Sequence, residues 1–258
     1  MHADRISETS GALSLEGIDW ELAARAGLSE DEKFVLRYFT DIESQTIYYL
    51  RDLLSTRLAD DPEVQEFVTI WNYEELFHGK ALAKLLDVCG APAQTTAQVR
   101  GTASLRERAE AIATRLLAWW FGEPFSAVYL AWGAAQELTT LRGYERLEQT
   151  TSNPVLAELC RRIAKQERRH FAFYYNGARA RLAGSPRAQR ITRWLMTKFF
   201  TPVGSGVKPT SEVKKLFGIV FPGTDGDAIV HAIDLKLGCL PGLEHAGLLT
   251  EARRGFAV

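Results

Sequence analysis

Two short units in this chain set a carboxylate and an imidazole three residues apart: Glu75-Leu-Phe-His78 and Glu167-Arg-Arg-His170. On an α-helix that spacing puts both side chains on one face, so each unit aims an oxygen and a nitrogen donor the same way. Such a mixed donor set suits a divalent metal of intermediate softness. The units are short, and roughly one sequence in twenty of this composition would carry two by accident. A single one would read as an ordinary surface pair.

The elements that carry the units raise them above coincidence. Glu43 lies 32 residues before Glu75, and Glu137 lies 30 before Glu167. With a rise of about 1.5 Å per residue, a first helix climbs roughly 22 Å from Glu43 to a turn near Leu58. The next descends roughly 20 Å from Pro62 to Glu75. The spacing from Glu137 up to Thr150 and from Pro154 back to Glu167 repeats the pattern. Two antiparallel hairpins related by a pseudo-two-fold axis would bring Glu43, Glu75, His78, Glu137, Glu167 and His170 to one level. That is the four-helix arrangement of carboxylate-bridged di-metal proteins.

The surroundings of these acids are apolar at helical spacing. Phe39 and Ile47 flank Glu43, Trp71 precedes Glu75, Gly133 and Ala134 precede Glu137, and Ile163 and Phe171 flank Glu167. An ionised carboxylate in such a stripe is costly unless it is paired or metal-bound. The competing reading is a set of buried salt bridges to arginine, but the stripes carry almost no Lys or Arg.

Helical patterns dominate the rest of the chain. Residues 1–28 read as a loosely ordered lead-in. Ser29 and Glu32 form a capping-box signature for a helix to about Leu58. Asp61-Pro62 opens a second, to about Val88. A loop covers 91–103, and a third helix about 104–121. Pro124 opens a fourth to about Glu148, Asn153-Pro154 a fifth to about Leu182, and Ser185-Pro186 a sixth to about Phe200. The tail shows shorter apolar segments, with turns expected at Pro222-Gly223, Asp225-Gly226 and Pro241-Gly242. The expected fold is all-α: a helical bundle over 29–205 with a tail, 206–258, packed on it.

Three stretches resemble the soluble, ferritin-like acyl-carrier-protein desaturases. Trp71-Asn-Tyr-Glu-Glu75-Leu-Phe-His78-Gly79 is similar to that family's W-x-x-E-E-x-x-H-G, Gln166-Glu167-Arg-Arg-His170 to its D-E-x-R-H, and Gln136-Glu137-Leu-Thr-Thr140 to its Q-E-x-x-T. The resemblance spans about residues 30–205. It implies a ferritin-like bundle with two iron ions held by the same six side chains, Glu75 and Glu167 bridging; manganese is the alternative metal. It further implies Thr140 beside the oxygen-binding side as a proton-delivering group, and Trp71 on an electron path or in the core. Gln166 departs from the pattern, since the family has an acid there that bonds a ligand histidine; second-shell changes of this kind tune affinity and redox behaviour.

The activity so implied is O2-dependent oxidation of an unactivated C–H bond, with desaturation of a fatty-acyl chain first. Hydroxylation of a lipid-like or small metabolite is the enzymatic alternative, and a ferroxidase-like or manganese/iron lipid-binding protein the non-desaturase one. Trp132, Gly133 and Ala134, on the helix of Glu137, are candidates to line an apolar substrate channel, or simply to fill the core. Between Arg161 and Lys198 stand eleven basic residues against one acid, Glu167, in a chain of net charge −1. Such polarity suits an acidic partner, here acyl-carrier protein, with Arg179, Arg187 and Arg190 as docking residues. An external donor of ferredoxin type would supply electrons, and bundle faces would pair in a homodimer.

Composition bounds the remainder. Cys89, Cys160 and Cys239 are far apart and in no C-x-x-C arrangement, which disfavours a disulfide framework or thiolate site and fits a reducing cytoplasm. Residues 1–11 lack a signal-peptide pattern. The most apolar stretch, 116–135, is broken by Gly122, Glu123 and Pro124, so no membrane span is expected. No nucleotide loop or zinc-finger spacing is present, and no nucleic-acid partner is expected.

Overall fold

The computed structural model describes residues 10–54, 56–93, 119–122, 124–205 and 208–256, the side chains of 48, 51 and 52 excepted. Among them it is all-helical, and no helix is long and apolar enough to cross a membrane. Ten α-helices are formed: α1 (Trp20–Ala26), α2 (Glu30–Glu43), α3 (Thr46–Leu53), α4 (Pro62–Val88), α5 (Pro124–Thr150), α6 (Pro154–Leu182), α7 (Pro186–Phe199), α8 (Thr210–Val220), α9 (Gly223–Leu237) and α10 (Leu248–Gly255).

The starts of these helices follow from local chemistry. Ser29 and Glu32 close the capping box that opens α2. Asp61 caps α4 by accepting from Glu63 N and Val64 N. Asn153 does the same for α6 with Val155 N and Leu156 N. Each cap satisfies N–H groups that the first helical turn cannot. Caps also tie elements together. The Asn153 amide nitrogen donates to Ala23 O and Gly27 O at 3.1 and 2.8 Å, pinning the end of α1 to the α5–α6 turn. Asp61 is paired with Arg181 near the end of α6, which holds α4 and α6 antiparallel at that end.

Helices α5 and α6 form the closest hairpin. Ala127, Ala131, Ala134 and Ala135 on α5 are buried, and small side chains let two backbones approach. At Gly133 the approach is absolute: a Cβ there would lie 2.4 Å from the Tyr174 ring. Helices α2 and α4 make the second hairpin, and α4 packs on α6. Helix α7 crosses α5 and α6, α8 lies on α2, and α9 lies on α5 with α10 beside it. The tail is thus helical, and Asp225-Gly226, expected as a turn, lies within the first turn of α9. Its connection is fastened to α2 by Tyr38 Oη donating to Val203 O at 2.9 Å and by Lys208 Nζ on Asp41.

Two expectations change. The first long helix does not run from Ser29 to Leu58; it ends at Glu43 and resumes at Thr46, followed by a 3-10 turn at Arg57–Asp60. Gln45 N turns to Ile42 O at 2.9 Å, a tighter bond than the helix would make. The hydroxyls of Ser44 and Thr46 take the carbonyls of Thr40 and Glu43, local competition that such side chains offer the helix. Opposite the break is Gly79, where a Cβ would meet Ser44 Oγ at 3.0 Å. The lead-in, for its part, contains a packed helix: Asp19 caps α1, and α1 packs on α4 and α6. The expected third helix lies outside the described residues except for 119–121, which are helical.

Candidate metal centre

Four helices deliver six side chains to one place. Glu43 comes from the last residue of α2, Glu75 and His78 from the middle of α4, Glu137 from the middle of α5, and Glu167 and His170 from the middle of α6. All six are buried, none more than 7% exposed. They form two groups whose ligand atoms lie within 4.8 Å of one another: Glu43, Glu75, His78 and Glu167, and Glu75, Glu137, Glu167 and His170. Glu75 and Glu167 belong to both. The height matching read from the spacing is therefore met, even though the first helix breaks at its ligand.

Both imidazoles turn Nδ1 inward. His78 Nδ1 is 3.3 Å from Glu75 Oε2, 3.2 Å from Glu167 Oε1 and 4.0 Å from Glu43 Oε2. His170 Nδ1 is 3.0 Å from Glu75 Oε1 and 3.7 Å from both Glu137 Oε2 and Glu167 Oε2. Despite this proximity, His78 Nδ1, His170 Nδ1 and both oxygens of Glu167 are buried without a hydrogen bond. Buried polar atoms are seldom left so. A cation between them would satisfy all four, and the donor set of carboxylate oxygen and imidazole nitrogen fits a divalent transition metal. Buried Glu and His groups that could hold a metal ion are thus present. Among the described residues the arginine alternative finds no support: the ion-pair contacts of these four glutamates there are with His78 and His170, and Arg169 Nη2 pairs with Glu74, at 2.8 Å.

The protonation pattern of the metal-free centre follows from burial and proximity. Burial pushes Glu43 well above the ordinary carboxylate range, with Glu75 and Glu167 adding to the rise. Burial also raises Glu137 well above it, against the pull of His170. For Glu75 burial is outweighed by Glu43, His170 and His78, which hold it well below. Glu167 falls too, because His170 and His78 overcome burial and the Glu75 charge. Burial opposes charge on His78, yet Glu167 and Glu75 carry it up to about 10; His170 rises well above its usual value for similar reasons. In the metal-free centre protons are thus drawn toward His78, His170, Glu43 and Glu137 and away from Glu75 and Glu167. Four ionised carboxylates with neutral imidazoles would equally balance two divalent cations, so metal entry must displace protons.

Around the six stands an outer ring. Trp71, expected here, donates Nε1–H to Glu137 Oε1 at 3.1 Å and packs edge-on against Tyr174. Gln166 faces His78: its Oε1 is 2.7 Å from His78 Nε2. Two members were missed from sequence. Glu74 Oε2 is 2.7 Å from His170 Nε2, and Tyr144 donates to Glu43 Oε1 at 2.6 Å. Both carried a signal. Glu74 stands immediately before Glu75 as Gln166 stands before Glu167, and Tyr144 lies seven residues, two turns, after Glu137.

The remaining candidates sit as follows. Thr140 is half-buried and makes no hydrogen bond to the six, whereas Thr139 is buried with its hydroxyl on Ala135 O at 2.7 Å. Ala134 is fully buried, Gly133 faces Tyr174, and Trp132 packs on Phe200. These three line neither the recess of about 500 Å³ between residues 10–16 and α6 nor one of about 170 Å³ at the start of α4. Arg179, Arg187 and Arg190 are exposed and make no ion pair among the described residues. The cysteines are free, Cys160 buried and Cys239 exposed. No protein-family model matches this chain, and no curated protein or solved structure matches it.

Proposed function

We propose that this protein is a ferritin-like di-iron oxidoreductase that uses O2 to oxidise an unactivated C–H bond, desaturating a fatty-acyl chain presented by acyl-carrier protein. The observation that carries the reading is the pair of four-ligand groups sharing Glu75 and Glu167. Two adjacent metals held by carboxylates and imidazoles supply, when bound and given external electrons, the reductive activation of O2. The chain's own residues do the rest. Glu75 and Glu167 belong to both groups and would be the residues shared between two metal ions. Glu43 with His78, and Glu137 with His170, complete each position separately. Tyr144 and Trp71 fix the outer oxygens of Glu43 and Glu137, and so keep the inner oxygens aimed at the centre. Phe67 packs edge-on against His170, and Phe173 and Tyr174 back it from behind, an apolar side that would strengthen electrostatic contacts within. On the outside, Arg179, Arg187 and Arg190, which make no ion pair among the described residues, offer cations to an acidic carrier.

The donor set does not discriminate iron from manganese, and both are redox-active; iron is named first because the motifs around Glu75, Glu137 and Glu167 resemble those of a di-iron family. The test begins with iron and manganese per chain in purified protein. O2 uptake follows, with acyl-carrier protein bearing a fatty-acyl group and a ferredoxin-type donor, and mass analysis of the chain. Loss of two hydrogens supports desaturation, and gain of one oxygen identifies a hydroxylase. A protein that holds no metal and takes up none overturns the whole reading.

A further inference from the structure

Resting on the di-metal reading, we infer that the two metal positions are inequivalent, and that the position completed by Glu137 and His170 fills before the one completed by Glu43 and His78. The shared ligands, Glu75 and Glu167, serve both positions. Any difference must come from the unshared pairs and from what those pairs touch.

The histidines differ in their outer partner. His170 Nε2 meets the Glu74 carboxylate, and His78 Nε2 meets the Gln166 amide, both at 2.7 Å. The amide's orientation is fixed by its other end. Gln166 Nε2 donates to Gly11 O and to Glu74 Oε1, each at 2.9 Å. Its Oε1 must therefore face His78, which makes His78 Nε2 the protonated nitrogen and leaves the Nδ1 lone pair for the centre. The same tautomer follows for His170 from the Glu74 carboxylate. A carboxylate draws harder on an imidazole N–H than an amide oxygen does, and so makes the opposite nitrogen a stronger donor. Glu74 is itself ion-paired, its Oε1 lying 2.8 Å from Arg169 Nη2 and accepting from Gly11 N at 3.1 Å. Arg169 and Gly11 bond Oε1 and leave Oε2 to His170.

The glutamates differ in the same sense. Tyr144 donates a phenol proton to Glu43 at 2.6 Å, whereas Glu137 receives an indole N–H at 3.1 Å. The shorter bond from the more acidic donor takes more electron density from its carboxylate. Glu43 is therefore the weaker oxygen ligand, beside the weaker nitrogen ligand. Two independent contacts favour the same position.

The experiment is anaerobic titration of metal-free protein with Mn(II) alone, followed by calorimetry and by the EPR of bound ion. Changing a histidine's outer partner shifts metal affinity by about 10–100-fold, so two steps separated by at least about tenfold are expected. His170→Ala is expected to remove the tight step, and His78→Ala to retain it. Glu74→Gln, which gives both histidines an amide partner and leaves every ligand in place, is expected to bring the steps together. Two indistinguishable steps in the unaltered protein overturn the inference while leaving the di-metal reading intact. So does a tight step lost with His78→Ala, or a separation unchanged in Glu74→Gln. Absence of any Mn(II) or Fe(II) binding overturns the di-metal reading and the inference with it.

Discussion

Glu167→Gln is the most direct probe of the centre. Both carboxylate oxygens of Glu167 are buried without a hydrogen bond, and the side chain belongs to both ligand groups. A metal present at a hundred times its dissociation constant stabilises the folded state by about 2.7 kcal/mol per site, hence about 5 kcal/mol for two. In a chain of this size each kcal/mol moves the melting midpoint by about 2–4 °C. Saturating Mn(II) is then expected to raise the midpoint of the metal-free protein by about 10–20 °C. An amide in place of a shared carboxylate weakens both positions. A hundredfold loss at each amounts to about 2.7 kcal/mol per site, which cancels the increment at the same metal concentration. The assay is thermal unfolding with and without Mn(II), for the unaltered protein, for Glu167→Gln and for a control, Arg168→Gln, whose exposed side chain reaches Glu145 on the outside. A metal-dependent rise in Glu167→Gln as large as in the unaltered protein would refute the assignment of Glu167 as a shared ligand.

Other consequences are equally open to measurement. The metal-free protein retains protons on His78, up to about pH 10, and on His170. That contribution is fully present below the unfolded value near 6.5 and is lost as pH rises toward 10, by about 1.4 kcal/mol per pH unit for each proton held; urea midpoints that do not fall between pH 6.5 and 8.5 would contradict it. Gly133→Ala forces a methyl to 2.4 Å from the Tyr174 ring and is expected to cost about 1–3 kcal/mol in urea unfolding; a stability equal to the parent would show that the hairpin yields there. Tyr144→Phe removes the donor to Glu43 and is expected to narrow the gap between the two metal-binding steps; a widened gap would argue against its sign. Glu at Arg179, Arg187 and Arg190 together is expected to weaken binding of acyl-carrier protein at low salt, and unchanged binding removes that docking surface.

Much of this architecture was legible before any coordinates. The caps at Ser29, Asp61, Asn153 and Ser185 lie where the residue types place them, because capping is local chemistry. The convergence of six candidate ligand side chains was legible from spacing, since helix rise converts residue counts into heights. The break after Glu43 was not, because Ser44, Gln45 and Thr46 are tolerated in a helix; the hydroxyl bonds of Ser44 and Thr46 to Thr40 O and Glu43 O and the close approach of Gly79 show only in the folded chain. The helical tail was hidden for a similar reason: Asp225-Gly226 has turn chemistry, but tertiary packing holds it in α9. Glu74 was not legible because the histidine it meets, His170, stands on a different helix. Its place beside Glu75 matters only once the opposite histidine is seen to lie across the centre.

The break at Glu43 has a mechanical consequence. Glu75, Glu137 and Glu167 sit near the midpoints of helices 27 to 29 residues long, each braced by backbone bonds on both sides. Glu43 ends its helix, and its carbonyl is held by the Thr46 hydroxyl at 3.0 Å. The centre is thus enclosed by three stiff walls and one compliant one. If the centre holds metal as proposed, a change in ionic radius or charge there would be taken up on the Glu43 side, while the other three carboxylates keep their places.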